Sequence, residues 1–104
     1  MKVFDKYNIV EYNSASYFDK ILKNEENALH SNNLIFDFTK VPSSEFTLLI
    51  PQLEKISLTL ANLDKTFVVV HPTLPTDKWE EFILIPTVDE AIEYIFMDEL
   101  SRDF

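Results

Sequence analysis

The chain has 104 residues, with 18 Asp and Glu against 9 Lys and Arg and a formal net charge of −9, while 46% of it is apolar and 26% charged, which fits one globular domain. It has no cysteine and no glycine; the first excludes disulfides and thiolate metal ligands, and the second excludes the P-loop and the dinucleotide fingerprint, whose phosphate-cradling turns need glycine. The acidic field repels phosphate backbones and anionic membranes, and no Lys/Arg stripe offsets it, so neither nucleic acid nor membrane is an expected partner.

In chain order, Val3-Phe4 and residues 8–12 read as two short strands around a turn at Asp5-Lys6-Tyr7, a hairpin. Ser14-Ala15-Ser16 offers a helix N-cap, with Asp19 three residues after Ser16 in a capping-box position. Phe18, Ile21, Leu22 and Leu29 then form one apolar stripe, predicting a helix over about 15–29. Leu34-Ile35-Phe36-Asp37-Phe38, Thr66-Phe67-Val68-Val69-Val70 and Phe82-Ile83-Leu84-Ile85 are nearly unbroken apolar runs of strand length, the pattern of buried parallel strands.

Between the first two runs, Phe46, Leu49, Leu53, Ile56, Leu60 and Leu63 recur at helical spacing, with Ser43 or Ser44 as the opening cap. Pro51 interrupts that stripe; the periodicity runs through it, so a kinked helix is expected over one that starts at Pro51. Lys78-Trp79-Glu80-Glu81 reads as a short helical turn. Pro86-Thr87-Val88-Asp89-Glu90 is a helix start with a capping box and acids in the first turn. The tail, residues 98–104, reads as a polar, solvated helix end. Strands alternating with crossover helices predict an α/β fold with a mixed, mostly parallel four- to five-stranded sheet and helices mainly on one face.

Few residues suggest chemistry. His30 and His71 read as solvated loop histidines without a second histidine or a cysteine at metal spacing. Adjacent acids (Glu80-Glu81, Asp89-Glu90, Asp98-Glu99) diverge by about 100° on a helix and read as solvated faces. Asp37 interrupts an apolar strand near its carboxyl end, the edge where open α/β sheets place their sites; an acid bonding loop amides is the plainer reading. Trp79 reads as packed against the sheet edge, with an exposed interface anchor as the alternative. No catalytic set, cofactor or metal is expected. The longest apolar runs fall far short of the roughly 20 residues of a membrane span, and the first residues carry no signal-peptide stretch, so a cytoplasmic location is expected.

The run from Leu34 to Val41, Ser43-Ser44 opening an amphipathic helix, and the strand at 66–70 resemble the STAS domain of bacterial anti-sigma-factor antagonists. The ending Ile83-Leu84-Ile85-Pro86-Thr87-Val88-Asp89-Glu90-Ala91-Ile92 is similar to that family's last strand and helix. The tail from Phe96 to Asp103 resembles a subgroup of short bacterial STAS-like proteins associated with ribonuclease Z gene neighbours. The resemblance spans residues 33–104, and residues 1–32 only by element order. It implies a STAS-like topology and a regulatory or adaptor role in binding a protein, for which a basic partner surface suits the charge. In that family a serine at the start of the second helix is phosphorylated; the matching positions here are Pro42-Ser43-Ser44-Glu45, making Ser43 the acceptor. Pro42 stands where the family has aspartate and Glu45 where it has glycine, so the motif is degenerate. The implied partner surface is Pro42, Ser43, Ser44, Glu45 and Phe46, with Asp37 and Thr39 beside it. The alternatives are a phosphoregulated antagonist, a small-ligand sensor, and a homodimer covering an edge strand.

Overall fold

In a computed structural model that describes residues 1–75 and 79–102, the apolar runs lie side by side in one five-stranded sheet whose spatial order is the chain order. The strands are β1 (Lys2–Val3), β2 (Tyr7–Glu11), β3 (Asn33–Asp37), β4 (Phe67–Val70) and β5 (Ile83–Ile85). β1 pairs antiparallel with β2, and every later pair is parallel, with Ile9 beside Ile35, Ile35 beside Val68 and Val68 beside Ile83. The expected α/β class and the mixed, mostly parallel sheet are therefore observed.

Each parallel connection steps the same way along the sheet. Right-handed crossovers then put every connection on the same face. That face carries α1 (Ala15–Asn24), α2 (Glu26–Leu29) and α3 (Ser43–Asn62). Phe18, Leu29, Phe46, Leu53 and Leu60 of these helices pack there on Leu34, Phe36, Phe38, Phe67 and Val69. Alternate strand residues Ile35, Val68 and Val70 face the other way and meet Ala91 and Ile95 of α4 (Val88–Arg102). Among the described residues, three helices thus share one face and α4 alone covers the other.

The helix ends show how local chemistry was resolved. Ser14, not Ser16, caps α1, its Oγ accepting the Tyr17 N–H at 3.1 Å. The predicted single helix over 15–29 is broken at Glu25. The break turns Leu29 into the core and sets the Ala28 carbonyl where buried Asn8 donates to it, at 3.0 Å. α3 is continuous through Pro51. Pro51 and Thr47, whose carbonyl loses its helical donor, both lie on the exposed side, so water can satisfy that group. Thr87 Oγ1 accepts the Glu90 N–H at 3.2 Å, the cap read from the sequence. The expected helical turn at 78–81 is not formed over Trp79, Glu80 and Glu81, and Lys78 lies outside the described residues.

α3 ends in a Schellman motif, with Lys65 N–H bonded to Leu60 O (2.9 Å) and Asp64 N–H to Ala61 O (3.1 Å). This motif requires a left-handed residue, and in a chain without glycine Asp64 takes it, at φ 57°. The Asp64 carbonyl in turn accepts from Arg102 of α4.

Polar groups at the amino edge of the sheet hold α4 in place. Buried Asn33 donates to Lys6 O (2.8 Å) and to Glu99 Oε1 (2.7 Å), and accepts the Thr66 N–H (2.8 Å). The Thr66 hydroxyl donates to Asp98, and Arg102 bonds both Thr66 and Asp98. The end of α4 is thus not the solvated tail expected: Asp98, Glu99 and Arg102 point at the sheet. Residues 103 and 104 lie outside the described part.

Two substitutions test these joints. Asn33→Ala strands the buried Thr66 N–H and frees Glu99; we expect a loss on the order of 2–3 kcal/mol, read as a lower urea midpoint at unchanged m-value. Asp64→Gly relieves the left-handed strain, and the same measurement should show a gain of about 0.5–1 kcal/mol.

Candidate functional site

The carboxyl edge of the sheet gathers the ends of β2, β3 and β4 with the start of α3. Ladder bonds run past the strand ends here: Tyr12 N–H to Asp37 O (3.0 Å), Phe38 N–H to Val70 O (2.9 Å) and His71 N–H to Ile85 O (3.1 Å). Residues 38–41 close a turn through Val41 N–H to Phe38 O at 3.0 Å. Asp37 is half-buried and committed to this turn, its Oδ1 accepting from the Thr39 N–H (3.1 Å) and the Thr39 hydroxyl. That is the plain role of an acid at a strand end.

His71 is not the solvated loop histidine expected; it is 3% exposed. Its Nε2 lies 2.8 Å from the Val41 carbonyl, which can only accept, so that nitrogen carries a proton. Its Nδ1 accepts the Thr73 N–H at 3.3 Å. The imidazole therefore pins the β3–α3 loop to the end of β4.

Pro42 is the N-cap of α3, and both Glu45 N–H and Phe46 N–H bond its carbonyl, each at 3.0 Å. Ser43 and Ser44 are the first helical residues, not the cap expected of one of them. Pro42, Ser43, Ser44, Glu45 and Thr39 are all exposed. Phe46 is not: at 1% exposure it belongs to the core, and it is withdrawn from the expected partner surface. One helical turn sets Glu45 outward and Phe46 inward, among Phe38 (centroids 6.2 Å), His71 (5.8 Å), Trp79 (5.4 Å) and Phe82 (6.2 Å). Trp79 is half-buried on this cluster, stacked on Phe82, and donates Nε1–H to Pro75 O at 2.8 Å. It is packed, as its plainer reading had it.

Between the start of α1 and the start of α3 a groove of ≈ 630 Å³ is lined by Tyr12, Ser14, Lys40, Pro42, Glu45 and Leu48. Leu48 is 77% exposed, and Tyr12 lines the groove although it is buried. Burial raises the Tyr12 phenol above its usual pKa, and the Glu45 and Asp19 carboxylates add to the shift. Lys40 pairs with Glu11 at 3.6 Å, an exposed contact that contributes little. Sequence reasoning missed both Tyr12 and Leu48. Leu48 carried a signal, being an apolar residue off the inward stripe of its helix; Tyr12 carried none beyond its parity on β2.

Among the described residues no three His, Asp or Glu side chains gather as a metal-ligand set. No described helix is long and apolar enough to cross a membrane. Compared with known proteins, the chain matches no family model, no curated protein and no solved structure.

The division between Glu45 and Phe46 is measurable. Phe46→Ala should cost about 3–5 kcal/mol as a core truncation, whereas Glu45→Lys should change stability by no more than about 0.5 kcal/mol. Equal effects in chemical denaturation would contradict the placement of these two side chains.

Proposed function

We propose that this chain is a non-catalytic, STAS-like module that binds another protein in a regulatory or adaptor role. The partner seats on the carboxyl edge, over Pro42, Ser43, Ser44, Glu45 and the groove beside them. The observation that carries this reading is the pairing of exposed Glu45 and exposed Leu48 on a loop and first turn held rigid from below. A fixed acid next to a solvated leucine, on a backbone locked by His71 and Asp37, suits a partner offering a cation beside an apolar pocket. The resemblance of residues 33–104 to STAS domains supports the same edge.

A phosphoregulated form of this reading rests on Ser43. Its hydroxyl is exposed on the first residue of a 20-residue helix, where an added phosphate would meet the helix dipole. Glu45 already places one negative charge in that turn, so binding need not await a kinase.

Affinity capture from the native lysate tests the proposal, with the tagged chain beside a Glu45→Lys/Leu48→Ser variant. Both positions are exposed, so the variant keeps its fold. A protein retained by the wild type and lost by at least about tenfold with the variant is expected. Equal capture by both would remove the carboxyl edge as the partner surface. Intact-mass analysis of the native chain reports separately on phosphate at Ser43.

A further inference from the structure

The other face of the molecule carries a surface that the carboxyl edge does not use. Of the nine large apolar side chains exposed among the described residues, Tyr94, Phe96, Met97 and Leu100 lie on α4, and Phe4 lies just beyond the end of β1. Phe96 is connected to Phe4 through Tyr7: Phe96 meets Tyr7 edge-on at 6.3 Å, and Tyr7 stacks on Phe4 at 4.8 Å. Such clustering on one helix marks an interaction surface, where scattered exposed residues would not.

The surface also has a direction. Asp89, Glu93, Phe96 and Leu100 follow one another at spacings of 4, 3 and 4, so they form one outward stripe, with Glu90 and Met97 beside it. The half toward the start of α4 is acidic, and the half toward its end is apolar. The one cation of α4, Arg102, is bonded inward to Thr66, Asp98 and the Asp64 carbonyl.

This polarity decides the occupant. A second copy packed with α4 antiparallel sets Asp89 and Glu93 against Phe96 and Leu100, burying acids on apolar surface. Packed parallel, it sets acid on acid. An anionic membrane meets the same repulsion. A helix with basic residues over one half and apolar residues over the other satisfies both halves at once. We infer that the outer face of α4 is a docking surface for a basic amphipathic helix of another protein, its cations over Asp89, Glu90 and Glu93 and its apolar residues over Phe96, Met97 and Leu100. This surface is separate from the carboxyl edge, and its test does not depend on that edge.

The test uses the full chain and a short fluorescent helical peptide with leucines on one face of one half and lysines on the same face of the other. A matched peptide carries glutamates for the lysines. Anisotropy titration should show saturable binding of the lysine peptide and binding at least about tenfold weaker for the glutamate peptide. A Met97→Ser/Leu100→Ser variant and, separately, Glu93→Lys should each weaken the lysine peptide about tenfold, while Leu58→Ser on α3 and Glu45→Lys leave it unchanged. All these positions are exposed, and an unchanged urea midpoint certifies each fold. The inference is overturned if the lysine peptide does not saturate, if the α4 variants bind it as wild type does, or if Glu45→Lys weakens it equally. Self-association in sedimentation equilibrium that Leu100→Ser abolishes would instead assign the face to a second copy.

Discussion

Asn33 joins four parts of the chain with one planar amide: the β1–β2 turn through Lys6, the start of β3 on which it sits, the start of β4 through Thr66, and the end of α4 through Glu99. The need for that joint follows from the topology. Consecutive right-handed crossovers send α1, α2 and α3 to one face, and only the last helix remains for the other. α4 has just Ala91 and Ile95 fully enclosed, a thin apolar anchor for 15 residues. Charge-assisted bonds from Asp98, Glu99 and Arg102 to the amino edge supply the rest. A helix held by one narrow stripe and its polar end leaves its outer half free, and that half carries Phe96, Met97 and Leu100.

The carboxyl edge is built on the opposite plan. There the fixing elements are aromatic and buried, and the polar groups are spent on the loop backbone. Phe46, Trp79, Phe82 and His71 form a floor whose members meet at centroid distances of 5.4–6.2 Å. His71 and Asp37 then satisfy backbone groups at both ends of the 38–42 turn. A loop ordered in this way would lose little further entropy on binding, so on the proposed reading contacts made at Glu45 and Leu48 would count more fully toward affinity. Phe46, which resemblance placed on the partner surface, belongs to this aromatic cluster in the core instead.

Much of the fold was legible because it depends on patterns that tolerate no alternative. Three nearly unbroken apolar runs, the first two separated by a helical stripe, have the pattern of buried parallel strands, and the Thr87 cap followed from its own three neighbours. The periodicity of α3 outweighed Pro51 because proline and the carbonyl it orphans both face water. What was not legible depended on distant partners. The break at Glu25 makes sense only once Asn8, 17 residues earlier in the chain, needs the Ala28 carbonyl. His71 is buried because Val41 and Thr73 receive it, and no local signal distinguishes that from a solvated histidine. The tail read as solvated because its acids are ordinary; Asn33 and Thr66, which bind them, are polar residues at or just before the start of a strand, easily passed over. At the carboxyl edge, Ser43, Ser44 and Glu45 were legible as exposed residues at the start of a helix and Leu48 was not, since attention to an inward stripe discards the apolar residue that falls outside it.

The two surfaces share one electrostatic field and differ in what terminates at each. With a net charge of −9, the whole molecule draws basic partners at long range, so association at either surface should accelerate as ionic strength falls. Long-range attraction cannot choose between them. Choice lies in the short-range apolar contacts, which govern how long a partner stays. At the carboxyl edge that contact is a single leucine beside one acid; on α4 it is an extended stripe with acids at one end. On the proposed readings a compact basic loop would suit the first and a helix the second. The two surfaces lie at different parts of the fold, one at the carboxyl edge beside the start of α3 and one on the outer side of α4, so on the proposed readings a partner at one would not compete for the side chains of the other.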